Sequence, residues 1–110
     1  MLINCVAYRE GTKLADIPKS DISDYLAQPG CFVWVALRDA SVDELAEMQE
    51  EFGLHDLAVE DAHHGHQRPK IEAYGNSLFL AVHTSQLLDG HVRFGETHAF
   101  VGPRFLITVR

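Results

Sequence analysis

The sequence predicts a mixed α/β domain, in which helices pack on a mixed β-sheet. Three observations lead to this prediction. Strand-like apolar runs occupy both ends of the chain, residues 41–52 have the spacing of an amphipathic helix, and short turn signals separate these segments. The 110 residues suffice for one domain, residues 1–110, and the 46% hydrophobic content is ordinary for a globular fold. The pattern leaves open whether the sandwich has two layers or three.

The first third of the chain is predicted to form strands around one short helix. Residues 31–37, CFVWVAL, are nearly continuous in apolar character, which predicts a central strand that is buried on both faces. The chain before it is predicted to contain a strand at Leu2–Tyr8, a turn at 9–13 and a possible strand at Leu14–Ile17. A short helix follows, capped by Ser20 or Asp21 and stopped by Pro29-Gly30, and it leads into the strand Cys31–Leu37.

Two helices are predicted next. Ser41 followed by Glu44 is the sequence of a capping box, and Gly53 is a typical residue just after a helix end. The apolar face of this helix is predicted to consist of Val42, Leu45, Met48 and Phe52. A shorter helix is predicted from about Asp56 to His63, ended by Gly65.

The remainder is predicted to be β-structure. The predicted strands are Ser77–Leu88, 91–102 and 104–110, joined by turns at Asp89-Gly90 and Gly102-Pro103. The predicted order is therefore β(β)αβααβββ. Since the chain ends within or just after a strand, the sequence reads as a piece of a longer protein.

Composition narrows the classes of function. The formal charge of −7 argues against nucleic-acid binding and favours cations. The longest apolar run is far shorter than the roughly 20 residues of a membrane-spanning helix, and no signal peptide is predicted. Cys5 and Cys31 lie in apolar runs without metal-binding spacing, so we expect buried free thiols in a reducing compartment.

Residues 55–70, HDLAVEDAHHGHQRPK, concentrate the groups that could carry chemistry. His63, His64 and His66 could bind zinc, but neighbouring helical residues point about 100° apart and Gly65 interrupts the helix. We therefore expect these histidines to be largely exposed at a polar helix end and to hold no structural metal.

Glu60 and Asp61 are adjacent carboxylates on the same short helix. Adjacent helical residues cannot meet one small ion from the same side, but Mg²⁺ needs only one or two carboxylates because it keeps much of its water. The residue pattern alone favours a solvated acid pair. The nearby cations Arg68 and Lys70 are expected to form salt bridges with Glu60, Asp61 or Glu72.

Glu96 and His98 are two residues apart on a predicted strand and so share one face. They could form an acid–base pair, but we expect them to lie on the solvent face, with Thr97 on the opposite side. The serines lack the GxSxG sequence of a nucleophile elbow.

Taken as ordered motifs, these residues resemble the CorA family of divalent-cation channels. The matching segments are His55 with Leu57–Asp61, Gln67–Lys70 with Glu72 and Tyr74, the strand LFLAV at 78–82, and FVGPRFLITVR at 100–110. Asp56 stands where the family usually has proline, and we expect it to act as the N-cap of its helix.

This resemblance implies the αβα sandwich of the N-terminal cytoplasmic domain of such a channel. It further implies a homopentamer at the inner membrane, with the pore helices outside these residues and no enzymatic activity. A regulatory Mg²⁺, or Co²⁺, is then expected between neighbouring copies, with Glu60 and Asp61 as its carboxylates. One isolated domain holds only part of such a site, so we expect it to bind Mg²⁺ weakly.

Three alternatives remain open from the sequence. One is the same domain from a ZntB-like zinc transporter, in which His63, His64 and His66 would have a purpose. Another is a stand-alone metal-dependent hydrolase that uses His55, Glu60, Asp61 and the histidine run. The last is an interaction module with no role for an ion.

Overall fold

The computed structural model describes residues 1–65 and 67–110, which form one mixed sheet with helices packed on it. The helices are α1 Ile22–Leu26, α2 Val42–Phe52 and α3 Asp56–His64, with a 3₁₀ turn at Lys19–Asp21 before α1. The strands are β1 Leu2–Arg9, β2 Thr12–Asp16, β3 Cys31–Leu37, β4 Lys70–Tyr74, β5 Ser77–Leu88, β6 His91–Val101 and β7 Phe105–Val109. The predicted mixed α/β fold is therefore confirmed.

Within the described residues the strand order across the sheet is β2-β1-β3-β7-β6-β5-β4. Neighbouring strands are antiparallel except β3 and β7, which run parallel. β7 follows all the other strands in sequence, yet it lies between β3 and β6. The sheet is thus made of two antiparallel groups, β2-β1-β3 and β6-β5-β4, which β7 joins.

The helices of the described residues cover one face of this sheet. The residues of β3 alternate between buried and half-buried. The core contains Val33, Val35 and Leu37 of β3, Leu45 and Met48 of α2, and Ala58 and Ala62 of α3. The other sheet residues of this core are Cys5, Ala7, Phe79, Ala81, Phe100, Ile107 and Val109. The described residues thus form two layers, one of helices and one of sheet, and no second helical layer of the implied αβα sandwich lies among them.

The opposite face of the sheet is only half-buried, so the prediction that β3 is buried on both faces is wrong. Trp34 and Phe32 project into a groove of about 710 Å³, lined also by Tyr8 and Leu106. Val33, by contrast, is fully buried on the helix-covered face. A continuous apolar run cannot reveal this difference, because the covering layer depends on the rest of the fold.

Local signals set the ends of α2 as predicted. The Ser41 hydroxyl accepts a hydrogen bond from the Glu44 amide at 3.1 Å, and the Glu44 carboxylate accepts one from the Ser41 amide at 3.0 Å. Gly53 takes the left-handed conformation, with φ at 67°. Val42 is 59% exposed, however, so the apolar face of α2 begins at Leu45 rather than at Val42.

Other predicted boundaries differ from the structure. The second strand is Thr12–Asp16 rather than Leu14–Ile17, and neither Ser20 nor Asp21 caps α1 through a side-chain hydrogen bond. β4, residues 70–74, is absent from the predicted order although it pairs with β5 along its whole length. β4 has only five residues, too few for alternation to mark it clearly, and its apolar Ile71 and Ala73 are exposed while the other three residues are half-buried.

Beyond Ala81 and His98 the strands β5 and β6 pair only with each other. We call residues 82–97 the hairpin arm. The predicted turn at its tip is confirmed, because Asp89 and Gly90 both have positive φ, at 50° and 77°. No helix of the described residues is long and apolar enough to cross a bilayer.

Candidate functional site

Helix α3 begins with a histidine cap. The Leu57 amide donates a hydrogen bond of 3.1 Å to Nδ1 of His55, whose own backbone is extended. The prediction that Asp56 is the N-cap is therefore wrong, because Asp56 is already the first helical residue. Asp56 instead accepts a hydrogen bond from the Gln49 side chain, which ties the start of α3 to α2.

The two candidate metal ligands on α3 diverge, as their adjacent positions predict. Glu60 faces solvent, with 62% of its side chain exposed, and its Oε1 lies 3.7 Å from Nε2 of His64. Asp61 turns toward the sheet, with 27% of its side chain exposed, and its Oδ2 lies 2.6 Å from Nζ of Lys70. One carboxylate is thus available from solvent, and its neighbour already has a cation beside it.

Asp61 belongs to a connected group with three side chains of β4, which we call the β4 cluster: Asp61, Lys70, Glu72 and Tyr74. Lys70 Nζ lies 2.9 Å from Glu72 Oε1 as well as contacting Asp61, and the Tyr74 hydroxyl donates a hydrogen bond to Glu72. The strand alternation explains the grouping, because residues 70, 72 and 74 point to the same face. The predicted salt bridges are confirmed for Lys70, whereas the described residues show none for Arg68.

The geometry of the β4 cluster shifts the pKa values of Lys70, Glu72 and Tyr74. Hydrogen bonds to Asp61 and then Glu72 raise the pKa of Lys70 well above its usual range. The Tyr74 hydrogen bond and then Lys70 lower the pKa of Glu72, while the bond to Glu72 raises the pKa of Tyr74. Lys70 therefore stays a charged ammonium at neutral pH, and the cluster carries a formal charge of −1 from two carboxylates and one ammonium.

The cap and the β4 cluster contact each other. The His55 ring stacks on Tyr74, with ring centroids 4.2 Å apart and an interplanar angle of 20°. The start of α3 and the end of β4 are thus held together. Sequence reasoning paired Lys70 with the acids but missed Tyr74, although the spacing of Lys70, Glu72 and Tyr74 on one strand face was a usable signal.

The histidine run does not form a built site in the described residues. His63 and His64 are exposed, as predicted, with ring centroids 5.6 Å apart. The prediction for His66 lies outside the described residues. Within residues 1–65 and 67–110, no group of three or more His, Cys, Asp or Glu side chains is arranged to hold a metal. The available donors, Glu60 and Asp61, fit a water-rich Mg²⁺ better than an enclosed one.

Glu96 and His98 lie on the helix-covered face, so the prediction that they face solvent is wrong. His98 is 5% exposed and packs beside Phe79, and its Nε2 lies 3.2 Å from Glu96 Oε1. The Gln67 amide donates a 2.6 Å hydrogen bond to Glu96. Alternation showed that the two residues share a face, but it could not show which face the helices cover. Glu96 thus anchors the connection that follows α3.

Comparisons with known proteins agree with this fold. The family model described as CorA-like Mg²⁺ transporter protein matches residues 30–110. The structure of the full-length CmaX protein superposes with a TM-score of 0.79 at 18% identity, covering 99% of this chain and 34% of that one. No sequence among curated proteins matches the chain significantly.

Two structures from Methanocaldococcus jannaschii are also similar. The complete CorA magnesium transporter gives a TM-score of 0.69 at 9% identity, covering 99% of this chain and 32% of that one. The soluble domain of CorA gives 0.65 at 14% identity, covering 97% of this chain and 41% of that one. At these identities the likeness shows the fold, and the chain spans only about a third of the two full-length proteins. The family match covers most of the sequence, and the chain belongs to the CorA-like Mg²⁺ transporter family.

Proposed function

We propose that residues 1–110 are the N-terminal cytoplasmic domain of a homopentameric divalent-cation channel of the inner membrane, and that this domain senses Mg²⁺. Co²⁺ would be a second ion of the same class. The family match supports transport as the general function. The domain's own role would be regulatory, as the resemblance of its α3 and β4 segments to the family's cytoplasmic domain implies.

The observation that carries the proposal is the placement of Glu60 and Asp61. α3 presents Glu60 to solvent beside Asp61, so a neighbouring copy could complete a site that one domain only begins. A charge of −7 on each copy makes five copies around an axis repel one another. A divalent cation between neighbours would offset that repulsion, and its loss would change the subunit packing.

The structure gives less support to the alternatives. A hydrolase would need His55 as a ligand or base, but His55 caps α3 through Nδ1 and stacks on Tyr74. A zinc-transport role would rest on exposed His63 and His64, whose rings are tilted by 51° and share no third ligand among the described residues.

The test is electrophysiology on the full-length channel with internal Mg²⁺ stepped across the physiological range. The double variant Glu60→Gln with Asp61→Asn should weaken inhibition of the conductance by internal Mg²⁺ and leave pore selectivity unchanged. The matched control is Glu50→Gln with Glu51→Gln, an adjacent pair of exposed acids on α2. An unchanged inhibition curve in the α3 variant would make Glu60 and Asp61 an ordinary acid pair.

A further inference from the structure

We infer that Lys70 is a built-in competitor for the divalent cation at Asp61. This inference rests on the proposed function, since it concerns the same carboxylate. An ion that binds Asp61 must first displace the Lys70 ammonium, so Lys70 sets the concentration at which the domain responds.

The contact distances place Lys70 where a competing cation would lie. Its Nζ is 2.6 Å from Oδ2 of Asp61 and 2.9 Å from Oε1 of Glu72. The side chains of Asp61 and Lys70 are 27% and 25% exposed, so solvent ions can reach the pair without any unfolding. The competition therefore takes place at an open edge of the domain.

Charge makes the two occupants mutually exclusive. An ammonium and a divalent cation on the same carboxylate would lie only a few ångströms apart, where like charges repel strongly. Lys70 can also leave without breaking the fold, because its charge is on a flexible four-carbon stem. The Nζ lies 5.9 Å from the centroid of the buried Phe79 ring, at the outer limit of a cation–π contact, and the Lys70 side chain is 25% exposed.

Glu72 and Tyr74 determine how strongly the Lys70 ammonium is held beside Asp61. Glu72 gives Lys70 a second carboxylate, and the Tyr74 hydroxyl donates a hydrogen bond to that carboxylate. Lys70, like any lysine in contact with carboxylates, is a charged ammonium throughout the physiological pH range. Competition with Lys70, together with the small number of ligands, would make Mg²⁺ binding by the isolated domain weak.

The experiment is a Mg²⁺ titration of the 110-residue chain by NMR, following the backbone amides of Glu60, Asp61 and Glu72 at constant ionic strength. Lys70→Met should bind Mg²⁺ roughly fivefold more tightly than the wild type, the gain expected on releasing one ion pair. Lys70→Arg keeps the charge and should retain wild-type affinity. Lys70→Gln provides a second neutral variant should Lys70→Met fail to fold.

The matched control is Lys19→Met. Lys19 pairs with Glu47 at 3.1 Å, so its loss also changes the formal charge from −7 to −8 but leaves Asp61 untouched. Its affinity should remain that of the wild type. A merely structural role for Lys70 predicts weaker binding in the neutral variants, whereas competition predicts tighter binding.

Asp61→Asn distinguishes failure of the proposed Mg²⁺ site from failure of the proposed competition by Lys70. If it weakens binding while Lys70→Met and Lys70→Gln fail to tighten it, the competitor is disproved and the proposed site stands. If Asp61→Asn with Glu60→Gln leaves Mg²⁺ binding unchanged, the proposed site fails. If no variant shows Mg²⁺-dependent shifts at Asp61, both ideas fail.

Discussion

At the scale of single residues, the divergence of Glu60 and Asp61 decides what each carboxylate can do. The angle between adjacent helical side chains sends Glu60 to solvent and Asp61 toward β4. Glu60 can then meet an ion or a neighbouring copy directly, while Asp61 must give up an existing partner. The two positions are close in sequence but differ in electrostatic surroundings.

Glu72 should make stability depend on acidity. Its pKa lies below the ordinary value of 4.5, because Tyr74 donates a hydrogen bond to it and Lys70 pairs with it. A lowered pKa in the folded state stabilises the fold above pH 4.5, and this contribution is lost as the pH falls through the folded value. We expect the free energy of unfolding to fall less steeply below pH 4.5 in Glu72→Gln than in the wild type.

Urea denaturation at a series of pH values measures this difference. Tyr74→Phe removes only the hydrogen bond from the Tyr74 hydroxyl to Glu72. The slope of its free energy of unfolding against pH should therefore lie between those of the wild type and Glu72→Gln. Parallel curves for wild type and Glu72→Gln would mean that the ionised carboxylate gains nothing from its partners.

At the scale of elements, α3 shows how one cap can serve both a helix and a site. His55 accepts a hydrogen bond from the Leu57 amide and stacks on the Tyr74 ring. The position of Asp61 relative to β4 depends on this start, because α3 is short and is fixed at both ends. The far end is held through Gln67 and Glu96.

His55→Ala should therefore destabilise the domain by about 1 kcal/mol, the typical loss for a helix cap. His55→Asn offers a good capping side chain and should recover much of this loss, although it lacks the ring that stacks on Tyr74. Thermal and urea denaturation of the three proteins measures the effect. Equal stability of the alanine and asparagine variants would show that the cap contributes nothing.

Sequence patterns predicted those elements whose signals are local. The Ser41–Glu44 capping box and the Asp89-Gly90 turn each depend on a few consecutive residues, and both are confirmed. The cap of α3 was misassigned because histidine is an uncommon capping residue and Asp56 is a common one. The burial of His98 could not be predicted, since it depends on which sheet face receives the helices.

The candidate site around Glu60 and Asp61 also combines features that local sequence predicts with features that depend on the tertiary fold. The salt bridges of Lys70 were predictable from charge and proximity, and the divergence of Glu60 and Asp61 followed from helix geometry. The position of Lys70 between Asp61 and Glu72 was not predictable, because it requires the registry of α3 over β4. That registry is set by tertiary contacts such as the His55–Tyr74 stack.

At the scale of the whole molecule, the helices of residues 1–65 and 67–110 cover one face of the sheet and leave the other open. Phe79 is completely buried on the covered face, whereas Trp34 borders the groove on the open face. The Trp34 indole donates a 3.2 Å hydrogen bond to Thr108, which partly fixes it without burying it. The two faces should therefore respond differently to truncation of an aromatic side chain.

Phe79→Ala should cost about 3–5 kcal/mol, as expected for a large side chain removed from a packed core. Trp34→Ala should cost less, because part of the indole is already in contact with water in the groove. Phe94→Ala is a suitable control, since Phe94 is 80% exposed on the hairpin arm and its loss should be nearly neutral. Urea denaturation that gave equal losses for Trp34 and Phe79 would show that the open face is covered in solution.

The central position of β7 has a consequence for synthesis of the chain. Before residues 105–109 have emerged from the ribosome, no strand connects the group β2-β1-β3 to the group β6-β5-β4. The edges of β3 and β6 that later pair with β7 are then unpaired. Such edges are templates for pairing with another chain, and domains generally form as units during translation. A nascent chain that pauses just before β7 would therefore expose the unpaired edges of both β3 and β6. Arrival of the last five-residue strand would remove both edges in a single step.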